Sequence, residues 1–392
     1  MTENWFYYLE HILEEQLQAD LGRDLVSVTS VNGPEIEVQG RRVIMFCSND
    51  YLGYTQHPAL KKAAQEAIDQ WGVGSGASRL VSGNLKLYDE LEANLARFKH
   101  ASSALVFPTG FMANLGVVAS LAGPQDVILS DSLNHASLVD ACRLSRAEVR
   151  VVPHADSDAY ADAIRREKSR KVLIITDGVF SMDGDLAPLA ELNEIAHQYG
   201  ALLVVDDAHG TGVLGANGRG AFEHLGAETE GVIQIGTFSK ALGGLGGFVA
   251  GPSPIIGFLR NRARTLFYTT ALPPATLAAN LRALELVDEE PETRQKLMRN
   301  IVRLRHGLSQ HGLKLLPGES SIVPVMVGEA RTALAMAREL MSEGLFCPAM
   351  RPPTVPAGQC RLRLSVMATH TDDHIDRAVD SVATVSKRMG LI

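Results

Sequence analysis

Short β-rich runs alternate with amphipathic helical stretches along the middle of the chain. Apolar runs separated by segments of helical periodicity predict a largely parallel sheet covered by helices on both faces. The fold class that this pattern predicts is α/β. The predicted strands are 104–107, 126–130, 149–152, 172–176, 201–206 and 232–236, and helices such as 87–98, 112–121 and 189–199 lie between them.

The two ends of the chain have a different pattern. Residues 5–21 place Trp5, Leu9 and Leu13 at helical spacing, which predicts an amphipathic helix whose apolar stripe docks on the body of the protein or on a partner subunit. Strands are predicted at 36–38, 43–46, 322–327 and 361–366, with helical regions at 275–312, at 331–343 and from 372. We therefore predict an N-terminal helix and strand segment (1–48), a large α/β domain (49–274) and a small C-terminal α+β domain (275–392).

Charge and cysteine content exclude several classes of function. Lys plus Arg number 37 against 45 Asp plus Glu, so the net charge of −8 argues against nucleic acid or an anionic membrane as the main partner. The four cysteines form no C-x-x-C pair, which disfavours a structural zinc and indicates a reducing compartment. The sequence predicts a cytoplasmic protein that uses no metal, contacts no nucleic acid and does not cross a membrane.

Three groups of residues follow the carboxyl ends of predicted strands, where open α/β sheets bind ligands. Gly110 lets a strand turn directly into a helix whose first N–H groups suit a phosphate, although a plain strand–turn–helix gives the same pattern. Asp206 closes an apolar strand and His209 follows it; a turn cap or a D-x-x-H metal site are the alternatives to a ligand-binding carboxylate. Lys240 follows the next strand, where a partly desolvated amine can act as a nucleophile, unless it is a solvated surface lysine.

Further polar candidates lie outside these three groups. His135 and Ser181 both follow predicted strands. Arg361 and Arg363 share one face of a predicted strand, which suits capture of a carboxylate unless that face is an exposed edge. A phosphate cradle, an acid and a lysine at neighbouring strand ends together fit one cofactor, pyridoxal 5′-phosphate (PLP), which needs an amine, an acidic partner for its pyridine nitrogen and a phosphate anchor.

Long motifs extend this interpretation over nearly the whole chain. SNDYLG at 48–53, DGVFSMDGD at 177–185, VDDAHGTGVLG at 205–215 and RPPTVPAG at 351–358 resemble the α-oxoamine synthases, a family of fold-type I PLP-dependent transferases. The resemblance implies a large PLP-binding domain with a smaller C-terminal domain. It also implies a homodimer with its active sites at the subunit interface.

The resemblance further implies a role for each matched residue. The predicted catalytic residues are Lys240, which binds the cofactor covalently and later moves the Cα proton, Asp206 at the pyridine nitrogen, His209 at the ring hydroxyl and His135 stacked on the ring, where it also meets the substrate. Other implied contacts are Gly110, Phe111, Ser181 and Thr237 to the cofactor, Thr270 to the phosphate of the neighbouring subunit's cofactor, Arg363 to the amino-acid carboxylate, and Arg23, Asn49 and Thr354 to the acyl substrate.

The implied reaction condenses L-alanine with a pimeloyl thioester of coenzyme A or acyl carrier protein, with loss of carbon dioxide, as in biotin biosynthesis. The segment 235–244 is also similar to 2-amino-3-ketobutyrate CoA ligase, which uses glycine and acetyl-CoA, so that branch stays an alternative. Two rivals come from other classes. A nicotinamide dehydrogenase would place G-x-G-x-x-G in its first strand–helix unit, and a non-catalytic binding protein would have lost Lys240.

Overall fold

The computed structural model describes residues 4–167 and 169–392, which group into two compact units. One unit is Asn49–Leu297, and the other combines residues 4–48 with Met298–Ile392. The three-part division drawn from the sequence stays a prediction.

The helices and strands of the described chain are numbered in chain order. The strands are β1 Val28–Asn32, β2 Glu35–Val38, β3 Arg41–Met45, β4 Ser103–Phe107, β5 Val127–Asp131, β6 Glu148–Val152, β7 Val172–Asp177, β8 Leu202–Asp206, β9 Ile233–Thr237, β10 Gly247–Gly251, β11 Ile322–Gly328, β12 Leu345–Phe346, β13 Ala349–Met350 and β14 Cys360–Ser365. The helices are α1 Trp5–Gln18, α2 Pro58–Trp71, α3 Lys86–Phe98, α4 Gly110–Leu121, α5 Ala136–Ser145, α6 Ser157–Arg165, α7 Leu189–Tyr199, α8 Ala221–Leu225, α9 Ser253–Arg262, α10 Arg264–Phe267, α11 Pro274–Glu289, α12 Pro291–Gln310, α13 Ala330–Ser342 and α14 Asp372–Arg388.

A seven-stranded sheet forms the centre of Asn49–Leu297, as far as the described residues go. Its strand order is β4-β10-β9-β8-β7-β5-β6, in which β10 runs antiparallel to both of its neighbours and the other pairs are parallel. The predicted α/β fold with a mostly parallel sheet is confirmed. The sequence analysis missed β10, because its terminal glycines, Gly247 and Gly251, resemble a loop.

Alternation along the strands builds a core on each face of this sheet. Ile175 and Val204 pack with helices α4 and α5 on one face, whereas Ile174 and Val205 pack with α6 and α7 on the other. Because successive side chains of a strand point to opposite faces, a continuous apolar strand supplies both cores. Helix α11 belongs to the same unit, since it packs on α2 and α3.

The other unit contains two smaller sheets in its described residues. One has the order β1-β2-β3-β12, and the other has β14 between β11 and β13. The edge-strand alternative for Arg361 and Arg363 is therefore wrong, since β14 is the central strand and both arginines are buried. The predicted N-terminal helix forms as α1, but none of its residues is buried, so docking on the body is wrong and a partner surface stays a prediction.

Among residues 4–167 and 169–392, no helix combines the length and the apolar character needed to cross a bilayer.

Candidate active site

A cavity of about 250 Å³ lies among the ends of the parallel strands and the start of α4. Its wall brings together nine of the residues predicted from the sequence. These are Asn49, Gly110, Phe111, His135, Ser181, Asp206, His209, Thr237 and Lys240. The convergence follows from the topology, because parallel strands place their carboxyl ends at one edge of the sheet.

A hydrogen-bonded chain connects Lys240 to the start of this unit. Lys240 Nζ lies 2.9 Å from His209 Nε2, and His209 Nδ1 lies 2.7 Å from the Tyr51 hydroxyl. Tyr51 in turn donates to Asn49 Oδ1 at 3.0 Å. Because the single Tyr51 proton goes to Asn49, the Tyr51 oxygen accepts from His209 Nδ1–H, which leaves His209 Nε2 to accept from the Lys240 amine.

Two adjacent aspartates at the end of β8 point their side chains in opposite directions. Asp206 faces the cavity, where its oxygens accept from Asn114 Nδ2 at 2.6 Å and from the Ala208 N–H at 3.0 Å. Asp207 faces the interior and forms a fully buried ion pair with Lys99 at 2.9 Å. The turn-cap alternative weighed for Asp206 holds alongside its place in the cavity wall, since Asp206 accepts the Ala208 N–H two residues on, while Asp207 accepts the first N–H of α8, that of Ala221.

His135 lies at the N-terminus of α5 with an exposed face toward the cavity. Its Nδ1 accepts from the Ser137 N–H at 3.3 Å and lies 2.7 Å from Ser137 Oγ. The protein withdraws the rest of the ring from water, and this partial burial lowers the pKa of His135; the Asp206 charge opposes that shift and Lys240 adds to it. The ring is therefore biased toward its neutral form.

Asp177, at the end of β7, is a second carboxyl group in the cavity wall. It pairs in register with Asp206 on β8, and its Oδ2 accepts from the backbone N–H of His135 at 2.8 Å. Burial, and then the Asp206 charge, raise the pKa of Asp177 well above its ordinary value. The raised pKa of Asp177 therefore works in favour of its neutral form.

The start of α4 forms one end of the cavity wall. Thr109 caps the helix by accepting from the Met112 N–H at 3.1 Å, and the Ala113 N–H bonds to the Thr109 carbonyl. The N–H groups of Gly110 and Phe111 stand outside these two bonds, as suits a phosphate site. A Cβ at Gly247 would lie 2.3 Å from the Thr109 oxygen, so the glycine lets β10 approach this turn.

A charged cluster beside the cavity ties two of its loops together. His154 bonds to Asp131 at the end of β5 (3.0 Å) and to Asp185 (2.8 Å), and its ring packs edge-on against Phe180. The two carboxylates raise the pKa of His154 to about 9, with Asp131 the larger cause. The cation therefore fixes the turn that carries Ser181 into the cavity wall.

This cluster predicts that stability falls at alkaline pH. Because the folded pKa of His154 is raised, its contribution is full below its ordinary pKa and is lost as the pH rises through about 9. The pKa shift sets an upper bound of about 3 kcal/mol on the contribution of His154 to the free energy of unfolding. Partial solvent exposure reduces that contribution to about 1–2 kcal/mol. We expect urea unfolding at pH 7 to show that His154→Gln has a free energy of unfolding lower by this amount. At pH 10 the variant and the parent chain should differ little.

His197→Gln is the matched control, because His197 lies on the surface of α7 and bonds to the Glu230 carbonyl rather than to a carboxylate. An equal loss of unfolding free energy for His154→Gln at pH 7 and pH 10 would contradict the assignment of His154 as a cation.

Four predicted residues do not line this cavity. Thr270 belongs to the same unit and is exposed. Arg23, Thr354 and Arg363 belong to the other unit. There, Arg23 donates to the Thr354 hydroxyl at 3.4 Å, which brings two predicted acyl contacts together, and the buried Arg363 donates to Ser365 Oγ at 2.9 Å.

Other residues of the cavity wall were missed in the sequence analysis. They are Asn114, Ser137, Asp177, Ala208 and Ser239. The sequence held a signal for two of them: Asp177 closes a buried strand as Asp206 does, and Asn114 lies one helical turn beyond Gly110.

Among the described residues, no group of three or more His, Cys, Asp or Glu side chains is placed to hold a metal ion.

Comparisons with known proteins agree with this geometry. The family model "Aminotransferase class I and II" matches residues 41–382. An 8-amino-7-oxononanoate synthase of Geobacter sulfurreducens is 47% identical over 383 residues, covering 97% of this chain and 98% of its own. A solved serine palmitoyltransferase with a PLP internal aldimine superposes with a TM-score of 0.94 at 32% identity and full coverage of both chains (100%).

A solved 8-amino-7-oxononanoate synthase of Francisella tularensis gives a TM-score of 0.78 at 30% identity, covering 89% of this chain and 99% of its own. These likenesses confirm the fold-type I assignment and the resemblance drawn from the motifs. The chain belongs to the aminotransferase class I and II family and, within it, to the 8-amino-7-oxononanoate synthases.

Proposed function

We propose that this chain condenses L-alanine with a pimeloyl thioester to give 8-amino-7-oxononanoate, carbon dioxide and the free thiol carrier, as a step of biotin biosynthesis. The observation that supports a reaction of this class is that the Lys240 amine, the Asp206 carboxylate and the N-terminus of α4 line one cavity. The choice of substrates rests on the name of the relatives that align over almost the whole chain.

The cofactor is pyridoxal phosphate, and the donor set of the cavity fits it. An amine, a carboxylate held by two nitrogen donors, and a helix N-terminus with its first N–H groups outside the helix bonds are the three groups that this cofactor requires. When bound, pyridoxal phosphate supplies an aldehyde that reacts with amines and a ring that withdraws electron density from the substrate carbon.

The catalytic roles are assigned to side chains of the cavity wall. Lys240 binds the cofactor and later removes the Cα proton of alanine, with His209 accepting a hydrogen bond from its amine in the structure. Asp206 would balance a positive charge on the pyridine nitrogen of the cofactor, since burial of an ionised carboxylate calls for such a partner. His135 lines the cavity with an exposed face, which would stack on the cofactor ring and contact the substrate.

Other residues are proposed to bind and orient the reactants. Gly110 and Phe111 would hold the phosphate through their N–H groups. The remaining assignments are Thr237 and Ser181 as further cofactor contacts, Arg363 for the alanine carboxylate, and Arg23, Asn49 and Thr354 for the acyl chain.

A homodimer is part of this proposal. The segments around Ser75 and Ala271 are adjacent, because Ser75 Oγ donates to the Ala271 carbonyl at 2.7 Å. Large apolar side chains near them are strongly exposed, with Val73 at 78%, Val81 at 80% and Tyr268 at 70%. A second copy that covers this surface would bury it and bring the exposed Thr270 toward the neighbouring cofactor.

The cytoplasmic location predicted from the sequence also remains a proposal. None of the four cysteines is disulfide-bonded in the described chain, which agrees with a reducing compartment.

A substrate comparison tests the function. The purified chain with pyridoxal phosphate is incubated with pimeloyl-CoA and either L-alanine, glycine or L-serine, and free thiol and condensation product are measured. We expect L-alanine to be preferred by about tenfold or more in kcat/KM, the value of one well-recognised methyl group. A preference for glycine with acetyl-CoA would overturn the proposal in favour of the ligase branch.

A nicotinamide dehydrogenase has no support from the cavity. The glycines after Lys240 serve the packing of the protein: Cβ atoms at Gly244 and Gly247 would lie 1.9 Å from Asn280 Oδ1 and 2.3 Å from the Thr109 oxygen. They permit close approach of protein segments rather than of a pyrophosphate.

A further inference from the structure

Two buried side chains connect Asp206 to His135. Asn114 on α4 donates from Nδ2 both to Asp206 Oδ2 at 2.6 Å and to Ser137 Oγ at 2.8 Å. Ser137 Oγ lies 2.7 Å from His135 Nδ1. Asn114 and Ser137 are each only 1% exposed. The carboxylate and the imidazole of the cavity therefore belong to one hydrogen-bonded chain that runs through the protein interior.

The direction of each hydrogen bond in this chain follows from the groups at its two ends. The ionised Asp206 carboxylate only accepts, so the amide nitrogen of Asn114, and not its oxygen, faces Asp206. The second N–H of that nitrogen then points at Ser137 Oγ, which makes the hydroxyl an acceptor on that side. The Ser137 backbone N–H points at His135 Nδ1, which makes that nitrogen an acceptor, so the Ser137 hydroxyl proton is directed to it as well.

We propose that Asn114 and Ser137 are positioning residues that hold His135 as the neutral tautomer with its proton on Nε2. Two donors at Nδ1 leave Nε2 as the nitrogen that carries the proton of a neutral ring. His135 thus offers an N–H donor from Nε2 and keeps its stacking face uncharged. This inference rests on the proposed function for the importance of His135, but the tautomer itself is a property of the chain alone.

The electrostatic surroundings agree with a neutral ring. Among the described residues, the titratable groups that share the cavity wall with His135 are Asp206 on β8, Asp177 on β7, His209 after β8 and Lys240 after β9. Partial burial and the Lys240 charge lower the pKa of His135, whereas Asp206 raises it. Asp177 accepts from the His135 backbone N–H, and its own pKa is raised. Burial and the Lys240 charge thus oppose the Asp206 charge, which would favour an imidazolium.

Selective ¹⁵N-histidine labelling tests the tautomer directly. Long-range ¹H–¹⁵N spectra of the full chain, with and without pyridoxal phosphate, report which ring nitrogen of each histidine carries the proton. The His135 signals are assigned by their loss in His135→Asn. We expect His135 to carry its proton on Nε2 near pH 7 in the parent chain, and Ser137→Ala to populate the Nδ1–H form as well.

Activity and rescue complete the test. Ser137→Ala should lower kcat/KM by about five- to tenfold, the worth of one hydrogen bond, and shift its pH profile. Ser137→Thr keeps the hydroxyl and should restore the tautomer. Asn114→Leu, which removes both donors, should act like Ser137→Ala. Ser145→Ala is the matched control on α5, because that buried hydroxyl bonds to the Cys142 carbonyl and leaves His135 untouched.

The two proposals can fail separately. A His135 proton on Nδ1 in the parent chain, or spectra unchanged by Ser137→Ala, would overturn the role of Asn114 and Ser137 whatever the substrate. A chain that holds the Nε2–H tautomer yet does not condense L-alanine with pimeloyl-CoA would contradict the proposed function and leave the tautomer assignment in place.

Discussion

Replacing Lys240 with alanine is expected to lower turnover by about 10³-fold and to abolish covalent attachment of the cofactor. The physical reason is that one amine performs two tasks, binding the cofactor and moving the Cα proton. His209 Nε2 lies 2.9 Å from that amine, but a histidine does not replace the covalent link. Borohydride reduction followed by intact-mass measurement should add the mass of the reduced cofactor to the parent chain and none to Lys240→Ala.

Lys61→Ala is the control for this variant. Lys61 lies on the surface of α2 and bonds to Gln56, so its loss should leave turnover and cofactor attachment unchanged. Circular dichroism should show the same helical content in both variants. A reduced cofactor on Lys240→Ala, with turnover close to that of the parent, would show that another amine carries the reaction.

The fold could be predicted wherever the hydrophobic pattern of a segment is compatible with only one type of secondary structure. Apolar strands separated by amphipathic helices gave the parallel part of the central sheet, because a strand buried on both faces has no polar alternation. Strand β10 escaped prediction, since its first residue, Gly247, serves a close approach to Thr109 that only the folded chain contains. The predicted helical region 275–312 is two helices that are separated by Glu290 before Pro291.

The candidate site could be predicted where a functional side chain follows its own strand. Asp206 is the last residue of β8, and His209 and Lys240 follow β8 and β9 within a few residues, so the strand-end rule brought them to one cavity. Asn114 and Ser137 lie on helices, and their importance depends on distances between elements that are far apart in sequence. No local pattern carries that information, so the interior hydrogen-bonded chain emerged only from the structure.

Replacing Asp206 with asparagine is expected to lower turnover by about 10²–10³-fold, the usual loss when one preorganised electrostatic group is removed. The amide keeps the shape of the side chain but carries no charge to hold a proton on the pyridine nitrogen. One of the Asn114 and Ala208 N–H donors would also meet an NH₂ group where it now meets an oxygen. Steady-state product formation and the fraction of cofactor retained after dialysis measure the effect.

Asp207→Asn separates this electrostatic role from a general loss of stability. It breaks the buried pair between Lys99 and Asp207, so we expect the free energy of unfolding to fall by about 3–5 kcal/mol. Asp206→Asn should lose turnover with a smaller change in unfolding free energy, because Asp206 lines a cavity and forms no such ion pair with any residue that the structure describes. If both variants lost stability and turnover in the same proportion, the charge of Asp206 would have no special role in the reaction.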